Sequence, residues 1–279
     1  ISMPPTLRYI TYYAGIYEVL TMSLGLSHRL ARFRDIERKE TMQVIENQSL
    51  HKLVRILCHD IANPLSVITI STQMLKKLIQ EKNIDKIAER VAKIQSSTQF
   101  MNRIIDDVRT LEAVDSGKLN IEIKSVCLEE SIFEATQIFE DRCSEKNVKF
   151  EFHFSKDNKS YILSDQNSLQ TNVLANIISN AIKFSYAGGT IGFRIENLKE
   201  ECVLKICDQG MGIPESLLKQ IFVPGVATSR SGTNDEKGTG FGMLLIKSFM
   251  ESYQGQILVE SKCQDTYPDD HGTTVILKF

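Results

Sequence analysis

Two long helical runs joined by a few polar residues set the first limit on what this chain can fold into. From about Leu30 to Gln80 no glycine or proline interrupts the sequence except Pro64. Apolar residues recur at Leu50, Val54, Leu57, Ile61, Leu65 and Ile68, spaced three and four apart, which makes one helical seam. A second run, Ile84, Ile87, Val91, Ile94, Thr98, Met101, Ile105 and Val108, forms a heptad-like stripe with one polar member. Only the residues around Glu81-Lys82-Asn83 separate the two runs, and so short a link predicts an antiparallel helical hairpin. Two helices cannot bury both stripes well. A dimer forming a four-helix bundle would. Ala31 to Gln48, polar and helical, reads as a coiled-coil lead-in (residues 29–48) to a hairpin over residues 49–117.

After Gly117 the texture changes. Strand-like runs fall at Leu119–Val126, Val148–Phe154, Tyr161–Leu163, Thr190–Glu196, Val203–Cys207, Gln256–Glu260 and Thr273–Phe279. Helical runs lie between them at Leu128–Cys143, Ser168–Lys183, Glu215–Ile221 and Thr239–Ser252. The mixture predicts a second domain, residues 118–279, built as an α/β sandwich with helices on one face of a sheet. Pro224–Lys237 is its longest loop, with the Ser, Thr, Gly and charge content of a mobile lid.

Composition is consistent with two domains. With 279 residues and 42% hydrophobic content there is material for two ordinary cores. A net charge of −2 with mixed signs gives no electrostatic reason for nucleic acid as a partner. The six cysteines form no C-x-x-C pair and no zinc-ligand spacing, and read as reduced cytosolic thiols. Tyr9 to Leu26 is about long enough to span a bilayer, holds one charge, Glu18, and precedes a basic cluster from His28-Arg29 to Lys39. Residues 1–28 are therefore read as the end of a membrane helix, the alternative being an amphipathic soluble one. A chain beginning at Ile1 reads as a fragment.

His59 lies in the first run, in His59-Asp60-Ile61-Ala62-Asn63-Pro64-Leu65. Seam residues Leu57 and Ile61 sit two positions to either side. At about 100° per residue, this turns His59 roughly 160–200° away from the core. Asp60 is near enough to orient an imidazole nitrogen or take its proton. Asn63, one turn on, could position a water for the reverse hydrolysis. An exposed histidine by itself is ordinary; the downstream residues give it meaning. Asp208 ends an apolar strand and precedes Gly210, Gly212 and Ile213-Pro214. The carboxylate can accept from an exocyclic amine such as that of adenine, and the glycines permit close backbone approach. Gly238-Thr239-Gly240-Phe241-Gly242 comes directly before a helix, whose N-terminal N–H groups favour an anion, with Lys237 adding charge. It is neither a P-loop nor a dinucleotide fingerprint. Asn176 and Asn180 share a helix face, with Lys183 three residues on and Phe184 after it. Amide oxygens there suit Mg²⁺ and the lysine suits phosphate.

In this order and spacing the motifs resemble the sensor histidine kinases of two-component signalling, from about Gln43 to Phe279. His59-Asp60-x-x-Asn63-Pro64-Leu65 looks like the H-box of a HisKA-type dimerisation and phosphotransfer domain. Asn176 through Phe184 looks like the N-box, and the clusters Asp208-x-Gly210-x-Gly212 and Gly238–Gly242 like the two glycine boxes. Phe222 matches the phenylalanine that precedes the lid. The resemblance implies a Bergerat-type ATP-binding fold shared with gyrase B and MutL. It implies Asn180 as the Mg²⁺ ligand, Asn176 and Lys183 as its neighbours at phosphate, and Asp208 as the adenine reader. His59 becomes the autophosphorylation site, Asp60 its general base, and Asn63 the position used for phosphatase activity. The implied partners are a second copy and the receiver domain of a response regulator. Two positions depart from the family pattern: Phe241 replaces the usual Leu, and Asp60 the commoner Glu. Gly15–Leu20 with Leu26–Leu30 resembles the last helix of a seven-helix membrane sensor, which implies the cytoplasmic kinase portion of an inner-membrane protein. A non-catalytic nucleotide-gated scaffold is the alternative from a different class. A topoisomerase- or chaperone-like ATPase would have no reason to carry the His59 hairpin.

Overall fold

The structure, a computed structural model, describes residues 60–154, 159–198, 201–224 and 228–279, with Arg32, Cys58 and Val226. His59, the Tyr9–Leu26 stretch, the coiled-coil lead-in and the seam positions Leu50, Val54 and Leu57 lie outside the described residues. Among those described, no helix is long and apolar enough to cross a membrane.

The helical hairpin is present. Helix α1 (residues 60–80) runs through Pro64 and leads into helix α2 (Ile84–Asp115) by a tight link in which Lys82 takes a positive φ of 52°. Asn83 caps α2, its side-chain oxygen accepting from the Lys86 N–H at 3.2 Å. Gly117, at φ 66°, ends it. The stripe on α2 is wider than one neighbour can cover. Ile87, Ile94, Met101 and Val108 of the expected seam are half-buried, and are joined inside by Arg90, Ser97, Ile104 and Leu111. The other apolar members expected, Ile84, Val91 and Ile105, stay 76%, 40% and 39% exposed. On α1, Pro64 takes an inward place and Leu65 remains exposed, as do Val67, Ile70 and Met74. An apolar face of this width is what a four-helix bundle demands of each helix.

The rest is an α/β domain. Strands β1 (Lys124–Cys127) and β3 (Tyr161–Ser164) pair antiparallel as a small sheet. The main sheet holds β2 (Lys149–His153), β4 (Thr190–Asn197), β5 (Cys202–Asp208), β6 (Gln256–Lys262) and β7 (Gly272–Lys278) in the order β2-β4-β5-β7-β6. Only β2 and β4 run parallel; the other neighbours are antiparallel. One sheet face buries Phe193, Leu204, Ile206 and Leu277 against helices α3 (Leu128–Gln137), α6 (Ala175–Phe184) and α8 (Gly242–Ser252).

Three expected elements differ in detail. The strand expected at Leu119–Val126 forms only from Lys124, because its four-residue partner β3 ends the ladder at Ser164 and Asp165 then turns away to cap the next helix. The Leu128–Cys143 helix breaks after Gln137, so that Phe139 enters the core while Ile138 stays 68% exposed, and α4 (Glu140–Lys146) follows. The Glu215–Ile221 helix is only one turn, α7 (Glu215–Leu218), whereas the Ser168–Lys183 helix holds: after a short turn α5 (Gln166–Ser168), a π-helical stretch Leu169–Leu174 feeds directly into α6.

The hairpin packs on this domain through a small core. Ile104, Phe241 and Leu244 are buried together, flanked by Ile61, Phe100, Val108 and Leu111. Two hydrogen bonds edge it: Thr239 Oγ1 donates to Asp107 at 2.5 Å, and Ser248 Oγ to Asp115. Ile104, with no exposed surface, is held by both parts. Ile104→Ala should cost about 2–5 kcal/mol in urea unfolding and split one transition into two. An unchanged single transition would show that this core does not couple the parts.

Candidate functional site

Helix α6 is set by its buried side. Ile177, Ile178, Ala181 and Ile182 go into the core, and this phase turns Asn176 and Asn180 into a cavity of about 280 Å³. The Asn176 amide nitrogen donates to the Asn172 carbonyl at 2.6 Å, so its oxygen is the end left for the cavity. A Cβ added at Gly242 would stand 3.2 Å from that oxygen. The glycine cluster before α8 and the polar face of α6 are therefore opposite walls of one space. Lys237, Gly238, Thr239, Gly240 and Gly242 all line it.

At the other end sits Asp208, the last residue of β5. Period-two alternation puts it on the same sheet face as Leu204 and Ile206. Its Oδ1 accepts from the Gly210 N–H at 2.9 Å and from the Thr273 N–H at 3.3 Å. Burial pushes its carboxyl up to about 6, against the pull of those two N–H groups and of His271. Ile206, Gly212, Ile213, Ile221, Val259 and Val275 give this end apolar walls. The turn needs its glycines: a side chain at Gly210 would meet the Phe184 carbonyl, and Gly212, at φ 65°, lies against the Lys262 carbonyl.

Lys183 lines the cavity and also holds the lid. Its amine is buried and donates to the Arg230 carbonyl at 2.7 Å, 4.6 Å from the Phe184 ring centroid. Burial brings it down to about 8, with Glu236 opposing and Arg230 and Lys146 adding to the fall. A Cβ at Gly238 would lie 2.8 Å from this amine, so it stays beside the glycine cluster while anchoring the lid. The loop expected as a lid is tied down at several points. Lys146 donates to Glu236 at 2.7 Å and to the Lys183 carbonyl at 2.8 Å, and Arg230 donates to the Gly212 carbonyl at 2.5 Å.

Four cavity residues had no motif to mark them. Arg142 of α4 reaches Ser179 at 3.5 Å. Arg103 and Asp107 come from the hairpin, one helical turn apart on α2. Thr273 lies opposite Asp208 in the β5–β7 register, which no local pattern announces. Of the hairpin's expected site residues, Asn63 is exposed and Asp60 half-buried. His59 lies outside the described residues.

The raised Asp208 carboxyl fixes a pH dependence of stability. Folding penalises the charged form, so the cost is absent below the ordinary carboxylate range, grows as pH rises towards 6 and is constant above. Asp208→Asn keeps an acceptor for Gly210 and Thr273 and removes the charge. Its thermal midpoint should exceed wild type at pH 8 and match it near pH 4. A gap that widens on acidification would contradict the assignment.

Comparison with known proteins agrees with this geometry. Residues 49–117 match the family model for the His Kinase A (phospho-acceptor) domain. Residues 164–279 match that for the Histidine kinase-, DNA gyrase B-, and HSP90-like ATPase. Among curated relatives, the autoinducer 2 sensor kinase/phosphatase LuxQ of Vibrio vulnificus is 29% identical over 74% of this chain and 24% of its own length. The sensor protein KdpD of Clostridium acetobutylicum is 29% identical over 81% and 25%. The chain thus spans about a quarter of either relative. In fold it is similar to the Acinetobacter baumannii histidine kinase AdeS, with a TM-score of 0.60, 18% identity, and coverage of 79% of this chain and 96% of that one. It is also similar to the histidine kinase ThkA, solved in complex with the response regulator TrrA, with a TM-score of 0.61, 21% identity, and coverage of 87% and 63%. With a phospho-acceptor hairpin packed on a domain whose cavity is walled by the two asparagines, Asp208 and both glycine clusters, the chain belongs to the sensor histidine kinase family.

Proposed function

We propose that this chain phosphorylates His59 from ATP and passes the phosphoryl group to an aspartate on a response-regulator receiver domain. One observation carries the reading: Asn176, Asn180, Asp208 and both glycine clusters meet in a single cavity, and α2 of the hairpin forms part of its wall. Adenine goes to the Asp208 end, with Asp208 accepting from its amine between Ile213 and Val275. The phosphates lie along Gly238–Gly242, with Lys237, Arg142 and Arg103 supplying positive charge. Mg²⁺ fits the donor set at Asn180. A single neutral amide oxygen holds no ion alone, and suffices where phosphate oxygens and water complete the shell.

In the transfer step an imidazole nitrogen of His59 attacks the γ-phosphorus. The N–P bond forms as the bond to the β,γ-bridging oxygen breaks, ADP leaves, and the imidazole proton passes to Asp60. The protein's contribution is positioning and charge. Asn63, exposed on α1, would hold a water for the reverse hydrolysis. The exposed flank of the hairpin stripe takes a second copy, completing the bundle. Division into residues 1–28, 29–48, 49–117 and 118–279, with attachment to the inner membrane through the first, belongs to the same reading. It draws on relatives named as sensor kinases.

Incubation with γ-labelled ATP tests the reaction. Wild type should gain an acid-labile, alkali-stable label, and His59→Gln and Asn180→Ala should lose it. Equal labelling of wild type and His59→Gln would sink the assignment. Nucleotide binding without any label would favour a nucleotide-gated scaffold.

Asp107 links the hairpin to the nucleotide. Its carboxylate occupies the Thr239 hydroxyl at the edge of the glycine cluster, where the phosphates bring negative charge. Asp107→Ala should tighten ATP binding about tenfold, the order expected for removing one like charge from a part-buried site. Unaltered affinity would show that the phosphates lie clear of it.

A further inference from the structure

His271 stands outside every motif, on the short approach to β7. Its Nδ1 lies 2.6 Å from the Gly210 carbonyl oxygen. A carbonyl only accepts, so the proton is on Nδ1. Gly210 is the residue whose N–H holds Asp208 Oδ1 at 2.9 Å. One peptide turn is therefore fixed at its N–H by Asp208 and at its carbonyl by His271. Its flank is fixed as well: the Met211 N–H donates to the Phe184 carbonyl at 3.1 Å, and the Gln264 N–H to the Met211 carbonyl at 3.1 Å. The imidazole is itself seated. Tyr186 meets it edge-on, with centroids 5.9 Å apart at 81°, and the Tyr186 hydroxyl bonds Gln264. Gly272, next in the chain, passes so close to the Asp208 carbonyl that no side chain would fit there. This fixes where His271 emerges.

We propose that His271 is a positioning residue for nucleotide specificity: by holding the Gly210 carbonyl it fixes the turn that aims Asp208, so that the carboxylate accepts from the amine of adenine and repels the carbonyl of guanine. Both backbone bonds to Asp208 fall on Oδ1, leaving Oδ2 for the base. Loss of the hold on the Gly210 carbonyl loosens the Gly210 N–H bond and leaves the longer Thr273 bond as the main restraint on Oδ1, so the discrimination weakens. The inference rests on the proposed ATP reading of this cavity.

The test uses the full chain, with ATP and GTP dissociation constants from calorimetry and KM and kcat from labelling. The amide nitrogen of asparagine stands near imidazole Nδ1, and that of glutamine near Nε2. His271→Leu and His271→Gln should each weaken ATP about tenfold, a loss on the order of one hydrogen bond. GTP binding should change little, so the ATP-to-GTP ratio collapses. KM for ATP should rise and kcat at saturation hold. His271→Asn should restore ATP affinity to within about threefold of wild type, as expected when that bond is kept. A ratio unchanged in both His271→Leu and His271→Gln, or an Asn variant as poor as the Leu variant, overturns the proposal. Should the Leu variant fail to fold, the Gln and Asn pair decides by the same ratio. Wild type that binds neither nucleotide would instead defeat the ATP reading itself.

Discussion

The site depends on a helix that cannot turn. Ile177, Ile178, Ala181 and Ile182 are at most 4% exposed, and each such side chain is worth roughly 1–3 kcal/mol of burial. Rotating α6 by one residue would expose several of them. Hydrophobic packing therefore holds Asn176 and Asn180 towards the cavity, and the two polar residues need contribute nothing to stability. The preceding π-helical stretch Leu169–Leu174 adjusts the phase at which α6 enters the core.

A second constraint is electrostatic. The domain keeps charge buried around the cavity and satisfies it locally. Lys146 is matched by Glu236 and a carbonyl, Lys183 by the Arg230 carbonyl, and Asp208 by two backbone N–H groups. Lys146, Lys183, Arg230 and Glu236 tie the loop to α4 and α6. The hairpin reaches the same cavity through Asp107, which accepts from Thr239, so cavity lining and domain packing share residues.

Much of this was legible in the chain. The 3.6- and 2-residue periods place the helices and most strands, because burial of one face imposes them. The two glycine clusters are visible because close backbone approach excludes a side chain. Asn176 and Asn180 stand out because asparagine mid-helix asks for a reason. Local spacing is silent where a pattern serves two partners. On α2, the stripe includes Val91 and Ile105 and passes over Ile104, yet of the three only Ile104 is covered by the ATPase domain. Lys183 lines the cavity and also anchors a lid carbonyl, a contact that no local spacing announces.

The sequence by itself determined the local elements and the residue types able to bind a nucleotide, since helical phase, strand alternation and glycine clearance act over a few neighbours. Only the tertiary structure decided which distant residues share the cavity. Thr273 reaches Asp208 through strand register, His271 reaches Gly210 across 61 residues of sequence, and Arg103 and Asp107 enter from the hairpin because Ile104 docks on Phe241 and Leu244. Such pairings follow from how whole layers pack, and no spacing within the chain encodes them.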